Sequence, residues 1–283
     1  MKNLSRRQFF EKSAMGLGAA LLAGQMPAGA MIPKKVKMPL GFQIWTVREM
    51  LLKDFPGTLK TIAGMGYKSV EMCSPPGYGF KPLMSMSAKE MKQIINDAGL
   101  AFTSTHYGFR EFRENLDERI QFAAESGQKQ MILSSFGLPA NATLDDWKKA
   151  ADELNKYGEK TKKAGIQMGF HNHNMELAQL EGKLIYDALM ETFDPELVKM
   201  QFQVAVISIG YKAADFFKKY PGRFISAHLA DYAQDKKTQV PLGKGIVDWN
   251  ELFDSITTGG VKNIFVEMDF ETFKDSASFI TSL

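Results

Sequence analysis

The chain carries four histidines, His106, His171, His173 and His228, and each stands at or just past the end of a short run rich in β-branched and aromatic residues. His106 ends Ala101–His106, His171 ends Gln167–His171 with His173 two residues on, and His228 ends Phe224–His228. Glu71 ends Ser69–Glu71 and Glu267 ends Asn263–Glu267. Asp269 falls on the side of Glu267 if the chain stays extended, because extended side chains alternate with period two. Imidazoles change charge near neutral pH and ligate divalent metals, so a ring of imidazoles and carboxylates can hold a cation or move protons. Taken singly, each has a plainer role: His106 can bond a loop carbonyl, Glu71 can cap a helix, and Asp269 can sit in solvent. Convergence of several strand ends on one pocket selects the chemical reading. On that reading Glu267, His171 and Glu71 are candidate catalytic groups, and His106 and His173 candidate substrate contacts. Trp45, at the end of Leu40–Trp45, can stack on a sugar ring or seal the site together with Tyr78, Phe80 and Tyr107. Lys244, in Leu242-Gly243-Lys244-Gly245, is either solvated or a substrate contact.

The elements that must position these groups alternate strand and helix without a linker or low-complexity tract, which is a parallel-sheet pattern. Strands are expected at Leu40–Trp45, Ser69–Glu71, Ala101–His106, Gln130–Ser134, Gln167–His171, Lys199–Gln203, Phe224–His228 and Asn263–Glu267. Helices are expected around Gly57–Ala63, Ala88–Ala98, Leu116–Ser126, Asp145–Ala164, Lys183–Phe193, Ala213–Lys219, Trp249–Thr257 and Ser276–Ser282. Gly66, Gly99, Gly127, Gly165 and Gly260 fall between a helix and the next strand, where a left-handed residue ends a helix. Ser87-x-x-Glu90, Thr143-x-x-Asp146 and Asp248-x-x-Glu251 read as N-caps after strand-to-helix loops. Eight even βα units without a glycine-rich dinucleotide loop favour a closed (β/α)8 TIM barrel, a single domain, over an open doubly wound sheet. In such a barrel the strand ends share one mouth.

Residues 1–30 read as an address and 31–283 as the barrel. Ser5-Arg6-Arg7-Gln8-Phe9-Phe10 precedes an apolar run from Ala14 to Ala23 and an A-x-A site at Ala28-Gly29-Ala30, a twin-arginine signal for export to the periplasm or beyond. That run falls well short of the roughly 20 residues that span a bilayer, and no membrane span is expected in the mature protein. Lys2, Arg6, Arg7 and Lys12 leave with it against Glu11, so 35 basic and 32 acidic residues become 31 and 31. A neutral mature chain has no field to attract nucleic acid. Cys73 is the only cysteine, so no intramolecular disulfide forms, and it reads as a small buried thiol rather than a nucleophile.

Gly41-Phe42-Gln43-Ile44-Trp45-Thr46-Val47-Arg48, Gly66-Tyr67-Lys68-Ser69-Val70-Glu71, Phe170-His171-Asn172-His173, Gly222-Arg223-Phe224-Ile225-Ser226-Ala227-His228-Leu229 and Phe265-Val266-Glu267-Met268-Asp269 together resemble the sugar phosphate isomerase/epimerase family of xylose isomerase-like TIM barrels. The resemblance implies a divalent metal, manganese or zinc, held from strands 5, 6, 7 and 8, with two side chains shuttling a proton beside a sugar carbonyl. Carried over by position, the ligands are His171, Gln203, His228 and Glu267. The sequence departs at strand 6, where Gln201-Phe202-Gln203 puts an amide at the usual aspartate position, and after strand 7, where Ala230 and Asp231 replace the usual lysine. That ligand set supplies one negative charge to a divalent ion, which lowers metal affinity unless Glu71 or Asp269 supplies another.

Three functions follow for a small-molecule sugar or glycoside substrate. The first is an isomerase or epimerase working by proton abstraction next to a carbonyl. The second is a lyase or hydratase on oxidised glycosides, in which the same enolate expels a leaving group. The third is a catalytically idle carbohydrate-binding barrel. A nuclease needs several metals and a basic groove, and the neutral chain offers neither. Replacing Arg6 and Arg7 by lysine is expected to leave the precursor in the cytoplasm, read by fractionation and the size of the chain. Export at the wild-type level would remove the twin-arginine reading.

Overall fold

The computed structural model describes residues 38–283, and the segment expected to be a signal, with its arginine pair and expected cleavage site, lies outside the described residues. Eight parallel strands form a closed barrel: β1 Leu40–Gln43, β2 Ser69–Cys73, β3 Ala101–Gly108, β4 Gln130–Ser135, β5 Gln167–His171, β6 Val198–Gln203, β7 Phe224–Leu229 and β8 Asn263–Val266. Each pairs with its sequence neighbour, and β8 closes on β1. The helices that follow them are α1 Phe55–Gly64, α2 Ala88–Asp97, α3 Phe109–Ser126, α4 Leu144–Lys163, α5 Ile185–Thr192, α6 Ala213–Lys219, α7 Trp249–Gly259 and α8 Phe273–Ser282. Among the described residues no helix is long and apolar enough to cross a membrane.

The joints behave as their residues require. Gly66, Gly99, Gly127, Gly165 and Gly260 all have φ between 73° and 111°, the conformation that lets a helix stop and its last carbonyls find donors. Ser87 and Thr143 make reciprocal capping boxes with Glu90 and Asp146, and Asp248 accepts from the backbone N–H of Glu251. Two helices differ from expectation. Lys183 and Leu184 pair with Gln179 and Leu180 in a small hairpin, so α5 starts only at Ile185. α3 starts at Phe109 and runs through a kink at Asn115 (φ −141°), well before the expected Leu116.

Alternation sends one set of strand side chains to the helices and the other into the lumen. Phe42 faces outward, edge-on to Tyr67 (5.7 Å) and Phe273 (6.2 Å). Gly41 and Gly169 face inward, and the space they leave is taken by neighbours: an added Cβ would lie 2.5 Å from the Phe265 ring and from Ser69 Oγ at Gly41, and 2.4 Å from Ile132 Cδ1 at Gly169. This packed lower lumen is the floor on which the strand-end residues stand. Gly41→Ala is expected to overpack it at a cost of about 1–3 kcal/mol, a fall of roughly 2–10 °C in Tm by calorimetry. Gly64→Ala, where a Cβ meets nothing within 4 Å, serves as the neutral control.

Candidate functional site

Period two builds the site in layers above this floor. In β6, Gln201 and Gln203 share the inner face; in β7, Ser226 and His228; in β3, Ser104 and His106. Register then sets opposite one another Glu71 and Ser104, His171 and Gln201, and Gln203 and His228. Glu71, His106, His171 and His228 are all buried, and they meet at the centre.

Glu71 is bonded at both oxygens. Oε2 accepts from Ser104 Oγ (2.5 Å) and Gln201 Nε2 (2.9 Å), while Oε1 meets His228 Nε2 (2.6 Å) and His106 Nε2 (3.1 Å). Gln201 Nε2 also donates to Ser226 Oγ (2.9 Å), which turns its carbonyl toward His106 Nε2 (2.6 Å). Since both neighbours of His106 Nε2 are acceptors, that nitrogen carries the proton. His228 is held on both sides by carboxylates, Glu71 at Nε2 and Glu267 Oε2 at Nδ1 (3.0 Å). Carboxylates only accept, so His228 donates twice and is an imidazolium.

The electrostatics follow from this geometry. Burial opposes charge on His228, but the Glu267 and Glu71 carboxylates overcome it and lift its pKa to about 9. Burial likewise opposes charge on Glu71, and His106 and His228 reverse the effect, holding its carboxyl well below the usual range. Glu267 is lowered in the same way, against burial, chiefly by His228. His171 goes the other way: burial first, then His228, His173 and His106, push it well below an ordinary histidine, so it is neutral. Its ring lies 4.5 Å from that of His228 and 5.0 Å from that of His106, and its Nδ1 is buried without a partner.

That orphaned nitrogen is what a metal ion would satisfy. His106, His171 and His228 offer one nitrogen each, all within 4.8 Å of one another, and Glu71 and Glu267 bring two negative charges to balance a divalent cation. An ion taking His228 displaces one of its protons. The residues therefore fit a metal. Gln203 stands beside them but is engaged at both ends, Nε2 donating to Glu267 Oε2 (2.6 Å) and Oε1 accepting from Ala205 N–H (3.2 Å).

The other expected residues are spread over the mouth. His173 is exposed with its ring edge-on to His171 (4.8 Å). Trp45 is 42 % exposed, with the Arg48 guanidinium 4.2 Å over its ring and Tyr78 edge-on at 5.7 Å. Lys244 is exposed in the loop after β7. Asp269 does not join the cluster: the chain turns at φ −60°, ψ 137° into a 3-10 turn at Phe270–Thr272, and the residue faces solvent. Glu71 and His106 lie beneath the mouth rather than on it. Gln201, Ser104 and Ser226 were not singled out from the sequence, although each sits two residues before a residue that was. Asp231 was missed altogether as a structural anchor. It is fully buried and accepts from the backbone N–H groups of Tyr232, Gly243, Gly245 and Val247 and from Trp249 Nε1 (2.9–3.1 Å), which fixes the loop carrying Lys244. A Cβ at Gly245 would come 2.2 Å from Asp231 Oδ1, so only glycine allows that approach.

A closed parallel barrel with imidazoles and carboxylates packed at its strand ends defines a TIM-barrel enzyme of the proton-moving, metal-capable kind. The chain belongs to the xylose isomerase-like TIM barrel family, whose pattern matches residues 59–282. It is similar to an inosose dehydratase of Clostridium perfringens, 28% identical over 232 residues that cover 76% of this chain and 77% of the relative. Its fold is like that of a sugar phosphate isomerase/epimerase from Parabacteroides distasonis, with a TM-score of 0.76 at 24% identity over 91% of this chain and 98% of the other. It is also like that of an IolI protein solved with a bound zinc atom, with a TM-score of 0.64 at 13% identity over 86% and 94%.

One carboxylate near the site is wrongly placed for charge. Glu176 is buried, accepts from the His173 backbone N–H (2.7 Å) through Oε2 and leaves Oε1 unpartnered, and burial lifts its pKa to about 7. A raised carboxyl pKa means the fold favours the protonated form, so stability is fullest below the unfolded value near 4.5 and is lost as pH rises through about 7. Glu176→Gln keeps the acceptor for His173 and removes the penalty. Its Tm should match wild type near pH 4.5 and exceed it by several degrees at pH 8; equal Tm values at pH 8 would contradict this account.

Proposed function

We propose that the chain abstracts a proton beside the carbonyl of a keto-sugar or keto-polyol and that the enolate then expels a β-oxygen, a dehydratase or lyase reaction. The observation that carries this reading is the Glu71–His228–Glu267 series. Buried Glu71 orients the His228 imidazolium, which orients Glu267 and keeps it ionised at the mouth. Gln203 and His228 both bond Glu267 Oε2, which leaves Oε1 to accept the substrate proton. In this reading the proton that Glu267 takes up is returned to the departing oxygen, which His173, exposed and edge-on to His171, would contact. The similarity to a protein named inosose dehydratase supports elimination. Reprotonation of the same enolate, an isomerase or epimerase, needs the same residues and is the second reading, supported by the family.

A divalent cation, manganese or zinc, held by His171 with His106 and His228, would polarise the substrate carbonyl and stabilise the enolate charge, and His228, giving up one proton to that ion, would then keep its bond to only one of Glu71 and Glu267. Trp45 offers a stacking face for a sugar ring, and Lys244 a cation on the neighbouring loop. Export through the Arg6-Arg7 signal would bring the enzyme free sugars or glycosides rather than phosphorylated ones.

Incubating the protein with a panel of keto-sugars and keto-inositols in D2O, with and without manganese or zinc, is expected to give loss of the α-proton, read as product formation or as deuterium uptake wherever the enolate is reprotonated. A product lighter by water or by the aglycone identifies elimination; an isomer of unchanged mass identifies reprotonation. Glu267→Gln should lower kcat about 10²–10⁴-fold with the fold retained. Neither exchange nor a dehydrated or isomerised product with any ketone under either condition would leave the idle carbohydrate-binding barrel. Separately, Gln203→Asp exchanges an amide that bonds Glu267 for a carboxylate free to face a cation. It should tighten manganese or zinc binding tenfold or more, ~1.4 kcal/mol, in a direct titration of metal-free protein. Unchanged affinity would place residue 203 outside the ligand set.

A further inference from the structure

The strands that supply the site also build a second cavity on their opposite face. With Glu71, Ser104 and His106 directed into the lumen, Met72, Thr105 and Tyr107 are directed toward α2 and α3. There they line a cavity of about 120 Å³, whose apolar wall is Met72, Leu83, Met84, Met86, Met91 and Phe122. Met84 is half exposed at the lip. Thioether side chains give such a wall an adaptable surface.

The polar groups of this cavity include donors that are not used. Tyr107 is 1% exposed and its hydroxyl makes no hydrogen bond of normal geometry, while Thr105 Oγ1 gives its own proton to Gln128 Oε1 (2.7 Å). Arg119 is nine-tenths buried, and its Nε–H also lacks a partner. Its terminal nitrogens meet Glu118 Oε1 (2.5 Å) and Glu111 Oε1 (3.6 Å). A buried donor without an acceptor is costly, so an acceptor oxygen brought to either donor gains a bond that the protein itself does not supply. Because two carboxylates already stand beside the one guanidinium, an anion gains no net attraction there.

We infer that this cavity is a second ligand site, behind the barrel wall, for a small neutral molecule with an apolar body and one acceptor oxygen, of the aryl ketone or ester type. The full chain, labelled with ¹³C at its methionine methyls, is titrated with acetophenone, ethylbenzene and benzoate as probes. The resonances of Met72, Met84, Met86 and Met91 are assigned by single replacements with leucine. Acetophenone is expected to give saturable shifts at these methyls, with ethylbenzene and benzoate at least tenfold weaker. Tyr107→Phe should weaken acetophenone about tenfold and leave ethylbenzene unchanged. Phe122→Trp should fill the cavity and abolish both responses; Met91→Phe provides the same block if that variant does not fold. Three results would overturn the inference: no saturable shift with any probe, which leaves a cavity holding only water; equal effects of Tyr107→Phe on acetophenone and ethylbenzene; or tightest binding by benzoate.

Discussion

The carboxylate of Glu71, fully buried inside the barrel, is the constraint on which the site depends. Removing a carboxylate from water costs several kcal/mol unless donors replace the lost hydration. Its donors come from β3, β6 and β7, which are distant in sequence and meet only when the barrel closes. Closure of the sheet and assembly of the site are therefore one event. The register needed is not that of ideal strands. β2 pairs Val70 with Phe102 but Glu71 with Ser104, so an extra residue, Thr103, is accommodated in β3 at this point. The irregularity sets Ser104 opposite Glu71 and His106 opposite Cys73, directing both donors inward; bulges commonly re-aim side chains in this way.

From that anchor the protonation of the rest follows. Two imidazoles with ring centres 4.5 Å apart take opposite states. His228, between two carboxylates, keeps its proton to about pH 9, while His171, facing no acid and crowded by other imidazoles, stays neutral. Environments that push like groups apart are how one pocket comes to hold both a charged and a neutral partner for proton transfer.

The fold was legible in the sequence because its signals are local. Gly66, Gly99, Gly127, Gly165 and Gly260 mark where helices stop, Ser87 and Thr143 where two of them begin, and the apolar runs between are strands. The placement of the histidines at strand ends was legible for the same reason. What was not legible depends on where the chain goes next. Asp269 leaves the cluster because the backbone turns just beyond β8, and Asp231 becomes an anchor only because the loop between β7 and α7, residues 230–248, folds back over it. Ser104, Gln201 and Ser226 look like ordinary polar positions in half-exposed strands, and only a closed barrel makes their side inward.

The amide at position 203 looks like a loss when the strand-end residues are counted alone, because His171, Gln203, His228 and Glu267 bring a single negative charge. The geometry restores the count from an unexpected direction. Glu71, from β2, reaches His228 within 2.6 Å, so two carboxylates and not one act on that imidazole. A third acid at position 203 would share the single imidazolium with both, and like charges at that distance oppose each other. Gln203 instead donates to Glu267 and ties down Ala205, acting as a brace between β6 and β8. The charge that a divalent ion or an imidazolium requires is thus present, moved from the rim at strand 6 to the buried layer at strand 2. There, fully buried, it acts on His228 at 2.6 Å with little screening by solvent.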